Sequence, residues 1–167
     1  GVALITTRVG QATDIVRHGE NGWIVEVEDT AGLARWTRHA LTEPATVARV
    51  IDGDTVVLRD GRRVRYVVLN APEAGPRPEP YGVEATQANR RLVEGRRVRL
   101  ERDVSDKDPF GRLLRYVYVD GLLVNAELVR EGYARAVAYP PDTRIQACLE
   151  ALEEEARTQG WGLWSKG

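Results

Sequence analysis

The 167-residue sequence predicts a mainly β fold with helices: a small five-stranded barrel carrying three helices, preceded by a short β-α-β-α appendage. Three observations lead there. Asp-Gly pairs at Asp52-Gly53, Asp60-Gly61 and Asp120-Gly121 each lie between runs rich in Val, Leu, Ile and Tyr, the strongest local signal for a hairpin. Apolar residues recur at helical spacing in three other stretches. The first 43 residues differ, alternating strand-like and helix-like segments as a parallel sheet requires.

Taken in order, the appendage reads as a strand over Ala3 to Thr6, a short helix around Asp14 to Arg17, a strand over Trp23 to Val27 and a helix near Ala31 to Leu41. Thr42, Glu43 and Pro44 then separate it from the barrel, so the expected domains are 1–43 and 44–167. Barrel strands are expected at Thr46 to Ile51, Thr55 to Arg59, Arg62 to Leu69, Arg97 to Arg102 and Leu113 to Val119. Between the third and fourth, Tyr81, Ala85, Ala88 and Leu92 repeat at spacings of four, three and four, and Gly95 closes an amphipathic helix. Asn125 is a good N-cap for a second helix ending at Gly132. After Asp142, Ile145, Cys148, Leu149, Leu152 and Ala156 fall on one face of a third, which places Cys148 in its buried stripe. Trp161 and Trp164 follow as large apolar anchors for the chain end.

Composition narrows the functional classes. No apolar run approaches the roughly 20 residues of a membrane-spanning helix, and no membrane partner is expected. The single cysteine, Cys148, cannot close an intrachain disulfide. The chain starts at Gly1 and contains no Met, so its natural N-terminus, with any leader, is expected to lie upstream. A formal net charge of -1 excludes nucleic-acid binding by bulk electrostatics, because non-specific affinity comes from phosphate neutralisation over a broad basic surface. Any such contact must be local. Nearly all the cations are Arg, whose planar fork suits bidentate phosphate contacts.

The chemistry-bearing residues collect near one hairpin and the end of the third strand. Asp52-Gly53-Asp54-Thr55 read alone is an acidic turn. Asn70 and Glu73 stand where the third strand runs out through Asn70-Ala71-Pro72-Glu73, and antiparallel register can bring that end beside Asp54. Carboxylate and amide oxygens gathered at one end of a barrel suit a hard cation such as calcium. In Val64-Arg65-Tyr66-Val67-Val68-Leu69, alternation puts Arg65 on the face of Val67 and Leu69, where a guanidinium needs an anionic partner; an edge position or an internal salt bridge would also account for it. Arg112, at the start of the last strand, shares a face with Leu114, Tyr116 and Tyr118. Two arginines, carboxylates and an amide are what phosphodiester hydrolysis requires, since cations stabilise charge on the phosphoryl oxygens and a carboxylate positions or deprotonates water.

An ordered series from Glu43 to Trp164 resembles the staphylococcal-nuclease (thermonuclease) family: Glu43-Pro44-Ala45-Thr46, Ile51-Asp52-Gly53-Asp54-Thr55, Arg65 ahead of Pro72-Glu73, Tyr81-Gly82 with Glu84-Ala85, Phe110-Gly111-Arg112, Gly121 with Val124-Asn125, Leu128-Val129, Gly132 and Trp164. The resemblance implies an OB-fold barrel and a calcium-dependent enzyme that cleaves DNA and RNA to 3'-phosphorylated products, expected to act as a monomer. It further implies Asp54 as a calcium ligand, Asn70 where the family has a second Asp ligand, and Ala71 as a backbone-carbonyl ligand. Glu73 matches the general base or water-orienting residue, Arg65 and Arg112 the two phosphate-binding arginines, and Asp52, with Thr55, the surroundings of the metal. Pro109-Phe110 replaces the family's Lys-Tyr, leaving Phe110 and Tyr139 as candidate substrate contacts, and the loop from Glu73 to Tyr81 is shorter.

Residues 1–43 resemble instead a piece of the C-terminal half of GT-B glycosyltransferases, through Thr6-Thr7-Arg8-Val9-Gly10, Asp14-Ile15-Val16, Gly19-Glu20-Asn21-Gly22 and Leu33, with Gln11 replacing a usual Gly. Two other functions therefore compete with the nuclease. One is a catalytically silent barrel used for binding, as in Tudor-type nuclease-repeat proteins; the other is a glycosyltransferase remnant. Asp54, Arg65, Glu73 and Arg112 together favour the enzyme, because a binding role needs no cation site beside a base.

Overall fold

The computed structural model describes residues 5–7, 23–25 and 42–165. The chain divides into two units, Gly1–Glu43 and Pro44–Gly167. In the first, β1 (Ile5–Thr7) pairs in parallel with β2 (Trp23–Val25), Thr6 opposite Ile24. The two helices expected in that unit lie outside the described residues.

The second unit is a closed barrel. Its strands are β3 (Thr42–Val50), β4 (Thr55–Leu58), β5 (Arg63–Tyr66), β7 (Arg97–Glu101) and β8 (Leu113–Val119), and the short β6 (Leu69–Asn70) stands apart. Strand order runs β5-β4-β3-β7-β8, and parallel pairing of β5 with β8, Arg65 opposite Leu114, closes the ring. The helices are α1 (Gly82–Val93), α2 (Val124–Arg130) and α3 (Gln146–Gln159). Two short strands complete the unit: β9 (Leu122–Leu123), which hairpins onto β8, and β10 (Arg135–Ala136), which pairs with β6. Buried residues of every barrel strand, among them Val47, Val56, Val64, Tyr66, Leu100, Tyr116 and Val117, form one core with Leu128 and Leu149 of the helices. This is the OB-type barrel with three helices that the hairpin signals predict.

Several elements differ from the sequence reading. The first barrel strand starts at Thr42, so Thr42 to Pro44 are strand and not a separator. The third strand is not continuous to Leu69: it breaks at Val67-Val68, and Val68 takes φ of 62°, a costly conformation for a β-branched residue. Both sides of the break are held, since Val67 donates its N–H to the Arg115 carbonyl (3.1 Å) and the Val68 carbonyl accepts from Val137 (3.2 Å). The kink buries Val67, Val68 and Leu69 alike, so Arg65 does not share their face. It sits with exposed Arg63 on the outside of the barrel.

Asn125 is not an N-cap. Leu123 occupies that position, and Asn125 is fully buried inside α2, its amide oxygen accepting from Val117 N–H and its amide donating to the Val67 carbonyl, each at 2.9 Å. It braces the break against β8. Cys148 is exposed, because α3 begins at Gln146 and buries Leu149, Glu153 and Ala156, a stripe at spacings of four and three that leaves position 148 off the face. Glu153 is buried because its carboxylate accepts from Ala136 N–H of β10 (3.0 Å) and pairs with Arg157 (2.9 Å). Trp161 remains 42% exposed and anchors little, whereas Trp164 lies between two guanidiniums, Arg135 at 5.0 Å and Arg157 at 4.3 Å from its ring centre.

One buried charge ties the start of α3 to the barrel. Glu101 on β7 is 1% exposed, and Arg144 meets it at 2.6 Å while lying 4.7 Å over the Tyr116 ring. Removing the cation would strand a desolvated carboxylate. Arg144→Ala is therefore expected to lower unfolding free energy by about 2–3 kcal/mol, allowing for the half-exposed arginine. Urea denaturation of the two proteins measures it, and an unchanged midpoint would refute the assignment.

Candidate active site

Two connections fix the acidic hairpin. The Tyr66 hydroxyl donates to the Asn89 amide oxygen (2.9 Å), and the Asn89 amide donates to the Asp52 carbonyl (3.0 Å), linking barrel core, α1 and hairpin through a fully buried side chain. The second is close packing. A Cβ on Gly53 would collide with the methyls of Ala71 and Ala85, so only glycine lets the hairpin lie against the chain after β6. Unlike Asp120-Gly121, where both residues have positive φ and make the expected tight turn, Asp52-Gly53 belongs to a wider loop closed by Ile51 and Asp52 N–H groups on the Thr55 carbonyl.

Asp54, only 4% exposed, is the hub. Its carboxylate accepts from the Thr55 hydroxyl (3.0 Å) and from Ala71 N–H (2.8 Å), and it forms an ion pair with Arg65. Arg65 also donates to the Asn70 amide oxygen at 2.8 Å. One guanidinium thus gathers the oxygens of Asp54 and Asn70, one on each terminal amine. The register reason is plain: Thr55 pairs with Arg65 across β4 and β5, which puts Asp54 beside the start of the break.

Asp52 accepts from Asp54 N–H (3.0 Å), and its own pKa is raised to about 6. Burial is the main cause; the charge of Asp54 adds to it, and that of Glu73 contributes further. Glu73 itself is exposed. Its backbone is clamped on both sides by Glu79, N–H to carboxylate at 3.0 Å and carbonyl from N–H at 2.9 Å, while its carboxylate has no hydrogen-bond or ion-pair partner among the described residues. Gly82 packs on the Glu73 carbonyl so closely that a Cβ would collide with it.

Arg65 and Arg112 line one cavity of about 510 Å³, together with Lys107, Phe110, Tyr139 and Pro140. Arg112 is aimed by Asp108, whose carboxylate accepts from its Nε (2.6 Å) and from the backbone N–H groups of Arg112 and Phe110 (both 2.9 Å). Those donors hold the Asp108 carboxyl below its ordinary range, against a burial that works the other way. With Nε engaged, the terminal amines of Arg112 remain for a ligand. Phe110, 84% exposed, projects from the same turn with Arg112 5.6 Å from its ring, and Tyr139 is 66% exposed. Asp142 shapes the far wall by accepting from Val104 and Ser105 N–H (2.9 and 2.8 Å).

The residues expected from sequence therefore fall into two groups joined by Arg65: Asp52, Asp54, Thr55, Asn70 and Ala71 around the acidic corner, and Arg112, Phe110 and Tyr139 around the cavity. Glu73 borders the corner and lines neither this cavity nor its wall. Sequence reasoning missed Asn89, Asp108 and Lys107. Asp108 carried a readable signal, because an Asp two residues before an aromatic and four before an Arg in a Gly-containing turn is placed to bond the backbone of both. Lys107 puts a cation into the cavity beside Pro109 and Phe110.

Residues 63–166 match the family model described as staphylococcal nuclease homologue. Endonuclease YncB of Bacillus subtilis (strain 168) is 37% identical over 150 residues, covering 84% of this chain and 71% of that protein. The thermonucleases of Staphylococcus intermedius and Staphylococcus hyicus are each 36% identical, over 74% and 81% of this chain and 77% and 82% of theirs. The resemblance of residues 1–43 to a glycosyltransferase draws no support from these comparisons. With the closed barrel, the paired arginines and matches of this extent in hand, the chain belongs to the staphylococcal nuclease family and is a nuclease.

Proposed function

We propose that this nuclease is a calcium-dependent phosphodiesterase cleaving DNA or RNA to 3'-phosphorylated products. The observation that carries the proposal is the opening of Arg65 and Arg112 into one cavity whose edge, at Arg65, is the oxygen-rich corner of Asp54 and Asn70. The donor set is of the kind a hard dication takes, because every candidate ligand, the Asp54 carboxylate, the Asn70 amide and the Ala71 carbonyl, is an oxygen. Asp54, Asn70 and the Ala71 carbonyl would hold the ion, which supplies Lewis-acid stabilisation of phosphoryl oxygens. Arg65 and Arg112 bind and orient the phosphodiester and stabilise its developing charge. Glu73, with a free carboxylate on a clamped backbone, orients water and takes its proton. Phe110 and Tyr139 offer bare rings for a base to stack on.

Digestion of plasmid and of single-stranded DNA and RNA with calcium, then with chelator, tests the proposal, with product ends read by phosphatase sensitivity. Full activity in chelator, or 5'-phosphorylated products, would overturn the calcium or the product assignment. A chain starting at Thr42, which keeps β3 whole, is expected to fold cooperatively with parental activity. Loss of soluble folding would place residues 1–41 in the core.

Asn70 gives a finer test. Calcium affinity rises with the number of charged ligands, and an amide supplies an oxygen without a charge. Asn70→Asp is expected to lower the calcium concentration for half-maximal activity by several-fold, although Arg65 would also hold the new carboxylate more strongly. Calcium titration at fixed ionic strength decides it; an unchanged or higher requirement would remove Asn70 from the ligand set.

A further inference from the structure

Arg65 lines the first cavity, and its hydrogen-bond partner Asn70 lines a second. That cavity, of about 600 Å³, is bounded by Asn70, Pro72, Pro80, Tyr81, Arg135 and Leu163. It adjoins the first because β6 and β10 pair in antiparallel register with Arg135 directly opposite Asn70. Each cavity is of small-ligand size.

Its walls have a definite chemistry. Pro72, Pro80, Tyr81 and Leu163 supply apolar surface. Glu79 also borders it, but its carboxylate is engaged by Glu73 N–H. Arg135 supplies the cation. Two guanidiniums lie over the Trp164 ring, and they differ: Arg157 is neutralised by Glu153 at 2.9 Å, whereas Arg135 has no carboxylate partner among the described residues. Stacking on the indole holds the Arg135 fork in one plane while its N–H donors stay unused, an arrangement that lowers the entropy lost on binding an anion.

We propose that this cavity is a second nucleotide subsite, taking the residue of a polynucleotide on the opposite side of the scissile phosphate from Phe110, with Arg135 holding that residue's outer phosphate. The inference rests on the phosphodiesterase reading, since it is the cleaved bond, lying over Arg65, that divides the two cavities. It makes the preferred substrate a polymer with at least two phosphates, not a mononucleotide ester.

The test compares the full chain with Arg135→Gln on two probes: a fluorescent single-stranded 12-nucleotide DNA, and the 4-nitrophenyl diester of thymidine 5'-phosphate, which has no second phosphate. Arg135→Gln is expected to weaken 12-mer binding, read by anisotropy, about tenfold and to reduce the slope of log affinity against log salt by about one. Its KM for 12-mer cleavage should rise in parallel, with kcat/KM for the nitrophenyl ester unchanged. Arg135→Lys should keep the salt slope. If the Gln variant does not fold, Arg135→Met, which keeps an apolar stem over Trp164 without the charge, takes its place. An equal loss on both probes, or 12-mer binding with unaltered affinity and salt slope, would overturn the subsite. Binding that depends on Arg135 in a protein that cleaves neither probe would overturn the phosphodiesterase reading, and with it the subsite's place beside a scissile phosphate, while leaving Arg135 a polynucleotide contact.

Discussion

Arg112→Lys is expected to slow DNA hydrolysis by at least about a hundredfold while shifting the thermal midpoint by no more than a few degrees, the usual scale for removing one preorganised donor to a developing oxyanion. The reason lies in how Arg112 divides its donors. Nε is committed to Asp108 at 2.6 Å, and only the terminal amines can reach into the cavity. A lysine has a single head group, which can satisfy Asp108 or a phosphate but not both in that geometry. Glu73→Gln is expected to cause a loss of similar size for a different reason: it removes a base whose carboxylate carries no structural contact among the described residues, so stability should be untouched. Single-turnover rates and thermal melts of both variants are the measurement. Parental rates in both would mean that the cavity is not where the phosphodiester is cleaved.

The sequence showed the barrel and the residue types of its site more clearly than it showed their arrangement. Hairpin chemistry at Asp60-Gly61 and Asp120-Gly121 and the spacing of Ala85 and Ala88 are local properties, and local properties survive folding unchanged. What could not be read was wherever tertiary contacts override local preference. Strict alternation through Arg65, Val67 and Leu69 assumed an unbroken strand, but the Val67-Val68 break exists because Arg115, Val137 and the distant Asn125 hold its backbone, and no period in the sequence records that. Asn125 looked like a cap since caps and buried braces use the same amide, and only the neighbours distinguish them. The conclusion that Arg65 needs an anion survived although the premise about its face did not, because any nearly buried guanidinium requires one. Here the anion is Asp54.

Asp54→Asn is expected to have the largest combined effect: activity reduced at least about a hundredfold, and stability reduced by about 3 kcal/mol. The two losses have separate origins. For activity, Asp54 is the charged oxygen donor most deeply set in the proposed cation site, and an amide in its place leaves Asn70 and backbone oxygen as neutral partners. For stability, the Asp54 carboxylate serves the Thr55 hydroxyl, Ala71 N–H and Arg65 at once from a buried position. Removing its charge leaves the Arg65 side chain, itself 15% exposed, as an uncompensated buried cation, the situation in which breaking an ion pair costs most. The double variant Asp54→Asn/Arg65→Gln separates them. Deleting both partners should recover most of the stability and none of the activity, because the unpaired charge is gone while both groups needed for the phosphodiester are also missing. Urea unfolding and calcium-dependent cleavage of the parent, Asp54→Asn, Arg65→Gln and the double variant supply the cycle. Recovery of activity in the double variant would show that Asp54 serves only to neutralise Arg65, and the cation would then have to be placed elsewhere.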